Sequence, residues 1–150
     1  MTAYQHGDAR SAIDKLSRAI QSEYLEPEPD KRFLSEIYNI RGEAYLLAKA
    51  MIRSRQDFYH SLALHPMNEN ALNNLGVWHS LELFKHVNHT KALQFFDQAV
   101  ELAPERQDIL FNRAIVRIRT GNWMGFEDLK KLELEKYTAA CAALQEYGED

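Results

Sequence analysis

Between Glu69 and Arg106 a small residue, an aromatic and a second small residue stand at helical spacing: Ala92, Phe96 and Ala99. Steps of four and then three residues stack all three on one face of a helix. Upstream, Leu75-Gly76 offers a position with no side chain, and Pro104 closes the segment. Two helices approach closely only where small side chains meet, so this stretch requires a tight helical hairpin. One hairpin cannot bury its own apolar face, and neighbouring hairpins must stack on it.

The same spacing occurs one segment earlier. Ser35 to Asn68 carries Tyr38, Gly42, Tyr45, Phe58 and Pro66 in corresponding positions, with Ser54 and Ser61 where the later segment has alanines, and Arg41 where it has Leu75. The turn between its helices should fall near Ala48 to Met51, where no Gly, Pro, Asn or Asp marks a break. The later segment is longer by four residues, within Ser80 to Val87. Four residues make about one helical turn, so the spacing predicts a first helix prolonged by a turn, with Asn88 capping the second. From Gln107 the pattern returns in Asn112-Arg113-Ala114, Gly121, Asn122 and Trp123, with Asn122 as a cap. Phe126 and Glu133 then occupy the small positions, and Phe126 should displace the last helix or fill space beside Gly125.

The pattern resembles the tetratricopeptide repeat, a helical hairpin of about 34 residues with small and aromatic residues at fixed positions. That resemblance implies an all-α solenoid of stacked antiparallel helix pairs with a C-terminal capping helix, in one domain. Its parts would be a partial repeat at 7–25 holding a second helix only, repeats at 35–68 and 69–106, a degenerate repeat at 107–135 and a cap at 137–147. In the partial repeat, Asp8 should cap a helix whose stripe is Ala12, Ile13, Leu16, Ala19 and Ile20. Its pairing helix is expected upstream, and Met1 to His6 are too few to form it. Ile13, Leu16 and Ile20 are therefore expected to be half covered, an edge that invites a homodimer. Glu26-Pro27-Glu28-Pro29-Asp30 reads as a solvated linker. Leu134, Tyr137, Cys141 and Leu144 form the inward stripe of the cap.

Composition excludes several functions. A net charge of −4 without a long Lys or Arg run argues against nucleic acid and anionic membranes as partners. No apolar run has the length of a membrane span, the N-terminus lacks a signal core, and the single Cys141 allows no internal disulfide; a cytoplasmic location is the default. His86 and His89 stand three residues apart, yet only Glu82 adds a nearby ligand, so neither metal nor cofactor is expected. His60, His65 and His79 pair with no nucleophile in a recognisable motif, and the chain reads as no enzyme. His79 should pack, beside a more exposed Trp78.

In tetratricopeptide proteins the first helix of each hairpin lines a concave groove. The resemblance places Glu36, Asn39, Glu43 and Leu46, then Asn70, Asn73, Asn74, Val77 and Leu81, then Asp108, Phe111, Asn112, Ile115 and Arg119 along it. The peptide-binding set expected from these is Asn39, Glu43, Asn73, Asn74, Val77, Leu81, Phe111, Asn112 and Ile115. An amide both donates and accepts, so it can pair with a ligand backbone of any sequence. Glu36, Glu43 and Asp108 favour a segment carrying Lys or Arg. Asn112-Arg113-Ala114 is similar to part of the clamp with which related co-chaperones hold a terminal carboxylate. The cationic positions of such a clamp hold Asn39, Glu43, Asn70 and Asp108 here, which speaks against it. The implied function is a non-catalytic adaptor or scaffold binding a peptide segment of another protein. The alternative is a small assembly or secretion chaperone holding an apolar segment of a client.

Overall fold

The computed structural model describes residues 3–81 and 87–134, with residues 143 and 146; side chains are described from residue 8, and not at 133 and 134. Among the described residues there are helices and no strands: α1 (Ala3–Glu23), α2 (Lys31–Leu47), α3 (Met51–Leu64), α4 (Glu69–Ser80), α5 (His89–Leu102), α6 (Gln107–Arg119) and α7 (Met124–Leu134). The chain divides into two compact units, Met1–Leu75 and Gly76–Asp150, with the division inside α4.

In the first unit α2 packs against both α1 and α3. Helix α1 runs unbroken from Ala3, so Asp8 lies within it and does not cap it. A helical glycine costs only about 1 kcal/mol relative to alanine, too little for Gly7 to end a helix of 21 residues. Ile20 is buried with Leu34 and Ile37, and Leu16, Ala19, Tyr38 and Leu64 close around them. The linker ends on a cap that the sequence reading did not assign: Asp30 Oδ1 accepts from Arg32 N at 2.8 Å and Phe33 N at 3.1 Å. Helix α2 therefore begins four residues ahead of Ser35.

Gly42 sets the spacing of α2 and α3, because a Cβ there would meet the Phe58 ring at 2.6 Å. The turn between these helices carries Lys49 at φ 60, with Ala50 N donating to Tyr45 O at 2.8 Å and Lys49 N to Leu46 O at 3.0 Å. This is a Schellman closure, which normally uses glycine at the left-handed residue. Sequence alone left this boundary unmarked because lysine holds the glycine position.

In the second unit Gly76 repeats the role of Gly42: an added Cβ would lie 2.6 Å from the Phe96 ring. Ala92, Phe96 and Ala99 are buried along α5, as their spacing predicts. Asn88 caps α5 through Oδ1, which accepts from Lys91 N at 2.9 Å. Most of the predicted extra turn of α4, residues 82–86, lies outside the described residues. Helix α4 stops at Ser80, and the His79 carbonyl accepts from Asn88 N at 3.0 Å.

Helices α6 and α7 join through Gly121 at φ 74, with Asn122 N donating to Arg117 O at 2.8 Å. Asn122 Oδ1 then accepts from Met124 N at 3.0 Å. The close-approach position of α7 is Gly125, where a Cβ would lie 2.6 Å from Ala114 O. Phe126 is half-buried beside it, so the small position has moved by one residue. Ala114, Leu129, Leu132 and Ala143 form the core here, with Leu110, Phe111, Ile115 and Ile118 against it. The rest of the expected cap at 137–147 and its stripe, with Leu134, lies outside the described side chains.

Candidate functional site

Three of the residues expected to line the binding face form one hydrogen-bonded set. Asn39 lies on the flank of α2 and is only 2% exposed. Its Nδ2 donates to Glu43 Oε1 at 3.1 Å, and its Oδ1 accepts from Asn74 Nδ2 at 3.0 Å. Asn74 Nδ2 also donates to Glu43 Oε1 at 2.7 Å. The amides thus orient a carboxylate, and the group they present outward is the exposed Glu43. Asn39, expected as a ligand contact, is buried, with both ends of its amide committed to neighbours.

A second asparagine does similar work one turn away. Asn68 is buried, and its Oδ1 accepts from Ala71 N at 3.1 Å, capping α4. Its Nδ2 donates to Ser35 Oγ at 2.9 Å, to Ser61 Oγ at 3.1 Å and to Glu36 Oε1 at 3.2 Å. Glu36 and Glu43 therefore stand two turns apart on α2, each with Oε1 held by an amide. Between and beside them Phe33, Ile40 and Leu47 remain 48%, 47% and 50% exposed. These three large apolar side chains recur every seven residues, and that periodicity was the signal that could have found them.

Arg41, adjacent to this face, is fixed by a two-point contact with Asp57 at 2.7 and 2.8 Å, and Nη1 donates to Ser17 Oγ at 3.1 Å. Its guanidinium also lies over the Tyr38 and Tyr45 rings, and the Asp57 contact raises its pKa despite burial. Burial, reinforced by a hydrogen bond with Tyr24, pushes the Tyr38 phenol up to about 12. Arg113 occupies the position in its hairpin that Arg41 has in the earlier one. It joins Arg117 in binding Asp97 and Asp128, with distances from 2.6 to 3.4 Å. Asp108 pairs with Arg106 at 2.6 Å, and this contact holds its carboxyl below the usual range. Its charge is largely answered within the chain, so it offers less to a basic ligand than its position alone suggested.

The remaining expected contact residues differ in burial. Asn73 is buried; Val77, Leu81 and Asn112 are half-buried. Phe111 and Ile115 rest partly on the α6–α7 core. At the N-terminal edge Ile13 and Leu16 are half-buried, whereas Ile20 is covered by α2. His79 is buried and stacked on Phe95, with ring centroids 5.7 Å apart, and Trp78 meets it edge-on. Among the described residues no three His, Cys, Asp or Glu side chains gather at metal-binding distance, and no helix is long and apolar enough to cross a membrane. His86 and Glu82 lie outside the described residues.

No family model and no curated protein matches the sequence. Solved structures do. A tetratricopeptide repeat protein from Parabacteroides merdae superposes with a TM-score of 0.69 at 23% identity, over 89% of this chain and 50% of that one. MamA protein superposes with a TM-score of 0.61 at 19% identity, over 87% of this chain and 71% of that one. The chain thus spans half the length of the first of these structures. At such identities the likeness is one of architecture, and the architecture of this chain is the tetratricopeptide-type α-solenoid.

Proposed function

We propose that this chain is a non-catalytic protein-interaction module that holds a segment of a partner on the first helices of its hairpins. One observation carries the reading: α2 buries Asn39 and leaves Phe33, Ile40 and Leu47 about half exposed. A helix serving only its own fold would do the reverse, because apolar area removed from water contributes about 25 cal/mol per Å2. In the second unit Val77, Phe111, Asn112 and Ile115 belong to the same reading, as residues of α4 and α6. A chaperone holding an apolar client segment draws on the same exposed side chains. An aggregation-prone client kept soluble only by this chain would favour it.

The test is calorimetric titration of a native partner against Asn73→Ala and Phe111→Ala, with Gln98→Ala on the exposed side of α5 as control. Loss of a polar contact to a buried ligand group should weaken binding by about 1–3 kcal/mol. Weakening by Gln98→Ala alone would place the ligand elsewhere.

A further inference from the structure

The α2 face has a chemistry more specific than a general binding surface. Phe33, Ile40 and Leu47 fall at one heptad position and Glu36 and Glu43 at another, three residues later in each turn pair. Together they form a stripe about 21 Å long at the helical rise. All five side chains are exposed. In a pair of helices packed at a shallow angle, both heptad positions face the partner. An all-apolar partner would bury two carboxylates without counter-charge, which is strongly unfavourable. A partner with cations at those positions removes that penalty and leaves the apolar positions to pack.

The carboxylates are also held in place. Glu36 Oε1 accepts from Asn68, and Glu43 Oε1 accepts from Asn39 and Asn74. Both amide sets occupy the same oxygen of each carboxylate. Among the described residues no hydrogen bond or ion pair engages either Oε2. Holding a charged group in its binding geometry lowers the ordering cost of association. Among the described residues neither glutamate is in an ion pair with a Lys or Arg, whereas Asp57, Asp97, Asp108 and Asp128 all are.

From this we propose that the stripe docks an amphipathic, basic α-helix of another protein, with aliphatic residues meeting Phe33, Ile40 and Leu47 and Lys or Arg meeting Glu36 and Glu43. The proposal rests on the module reading above and narrows its partner to one class.

The probe is a capped, alanine-based peptide of about 15 residues, one stripe length at the helical rise. It carries leucine and arginine at the two facing heptad positions. One control replaces arginine by glutamate; another places proline at the centre, breaking the helix. Binding to the full chain is read by fluorescence anisotropy at low and high salt. The basic helix should bind and weaken with salt, and both controls should bind at least about tenfold more weakly. Ile40→Gln, and Glu36→Gln with Glu43→Gln, should each lose about tenfold or more with an unchanged CD spectrum. The proposal is overturned by no binding of the basic helix, by equal binding of either control, or by unchanged affinity in Ile40→Gln. It is also overturned if light scattering shows self-association that Ile40→Gln abolishes, because a second copy is then the occupant. A native partner that binds through Phe111 while the basic helix does not bind leaves the module standing and removes this proposal alone.

Discussion

Arg41 grips the Asp57 carboxylate at two points, Nε to Oδ2 at 2.7 Å and Nη2 to Oδ1 at 2.8 Å, across the α2–α3 interface. Both side chains are largely withdrawn from water, at 16% and 6% exposure. Removing one partner of such a pair leaves an uncompensated charge, whereas removing both is far milder. Arg41→Leu alone should cost about 3 kcal/mol. Adding Asp57→Ala should recover most of that loss in urea unfolding. Equal stability of the single and double variants would show that the pair is not coupled.

Ser54 and Ser61 occupy equivalent small positions of α3, both fully buried, and should respond oppositely to alanine. The Ser61 hydroxyl lies 2.9 Å from Ser35 Oγ and accepts from Asn68 at 3.1 Å. The Ser54 hydroxyl has no hydrogen-bond partner among the described residues. Ser54→Ala should stabilise by about 1 kcal/mol, and Ser61→Ala should destabilise by about 1–2 kcal/mol. Changes of the same sign in thermal unfolding would contradict the hydrogen-bond assignment.

Gly42 has no room to grow, because Phe58 is fully buried and its ring cannot retreat. The intrinsic helix preference favours Gly42→Ala by about 1 kcal/mol. Overpacking opposes it by about 1–3 kcal/mol, so the net expectation is destabilisation. Gly42→Ala with Phe58→Leu should be more stable than the sum of the two single changes. Strict additivity in a double-mutant cycle would rule out the steric contact.

Lys49 and Gly121 close equivalent turns with different suitability for a positive φ. The left-handed region costs a residue with a Cβ about 1–2 kcal/mol, partly offset by the greater unfolded-state freedom of glycine. Lys49→Gly should therefore stabilise by about 0.5 kcal/mol. Gly121→Ala should destabilise by about 1 kcal/mol through backbone strain, since no atom lies within 4 Å of the added Cβ. A destabilised Lys49→Gly in chemical unfolding would mean that the lysine side chain contributes more than its backbone costs.

The fold was legible where one residue type answers one geometric need. Gly42 and Gly76 pair with Phe58 and Phe96, and Asn88 caps, because helical spacing alone puts those groups together. Features that depend on partners distant in sequence were not legible. Nothing near Arg41 announces Asp57, and nothing near Asn68 announces that Ser35 and Glu36 will surround its amide. The proposed binding face was half legible for the same reason. Repeat positions placed Glu43 and Asn74 side by side. They could not reveal that Asn39 would turn inward while Ile40, its neighbour, stayed exposed.

The hydrogen bond from Asn88 N to His79 O ties the end of α4 to the start of α5. The hairpin is pinned on both sides of the segment between them, by that bond and by the fit of Gly76 to Phe96. Its register is therefore insulated from how many residues the segment holds. The entropic cost of closing a chain rises by only about 0.6 kcal/mol when its length doubles, so residues added between these two anchors should leave the hairpin intact. A fluorescent tag, an epitope or a second binding element can be grafted there without retuning either helix.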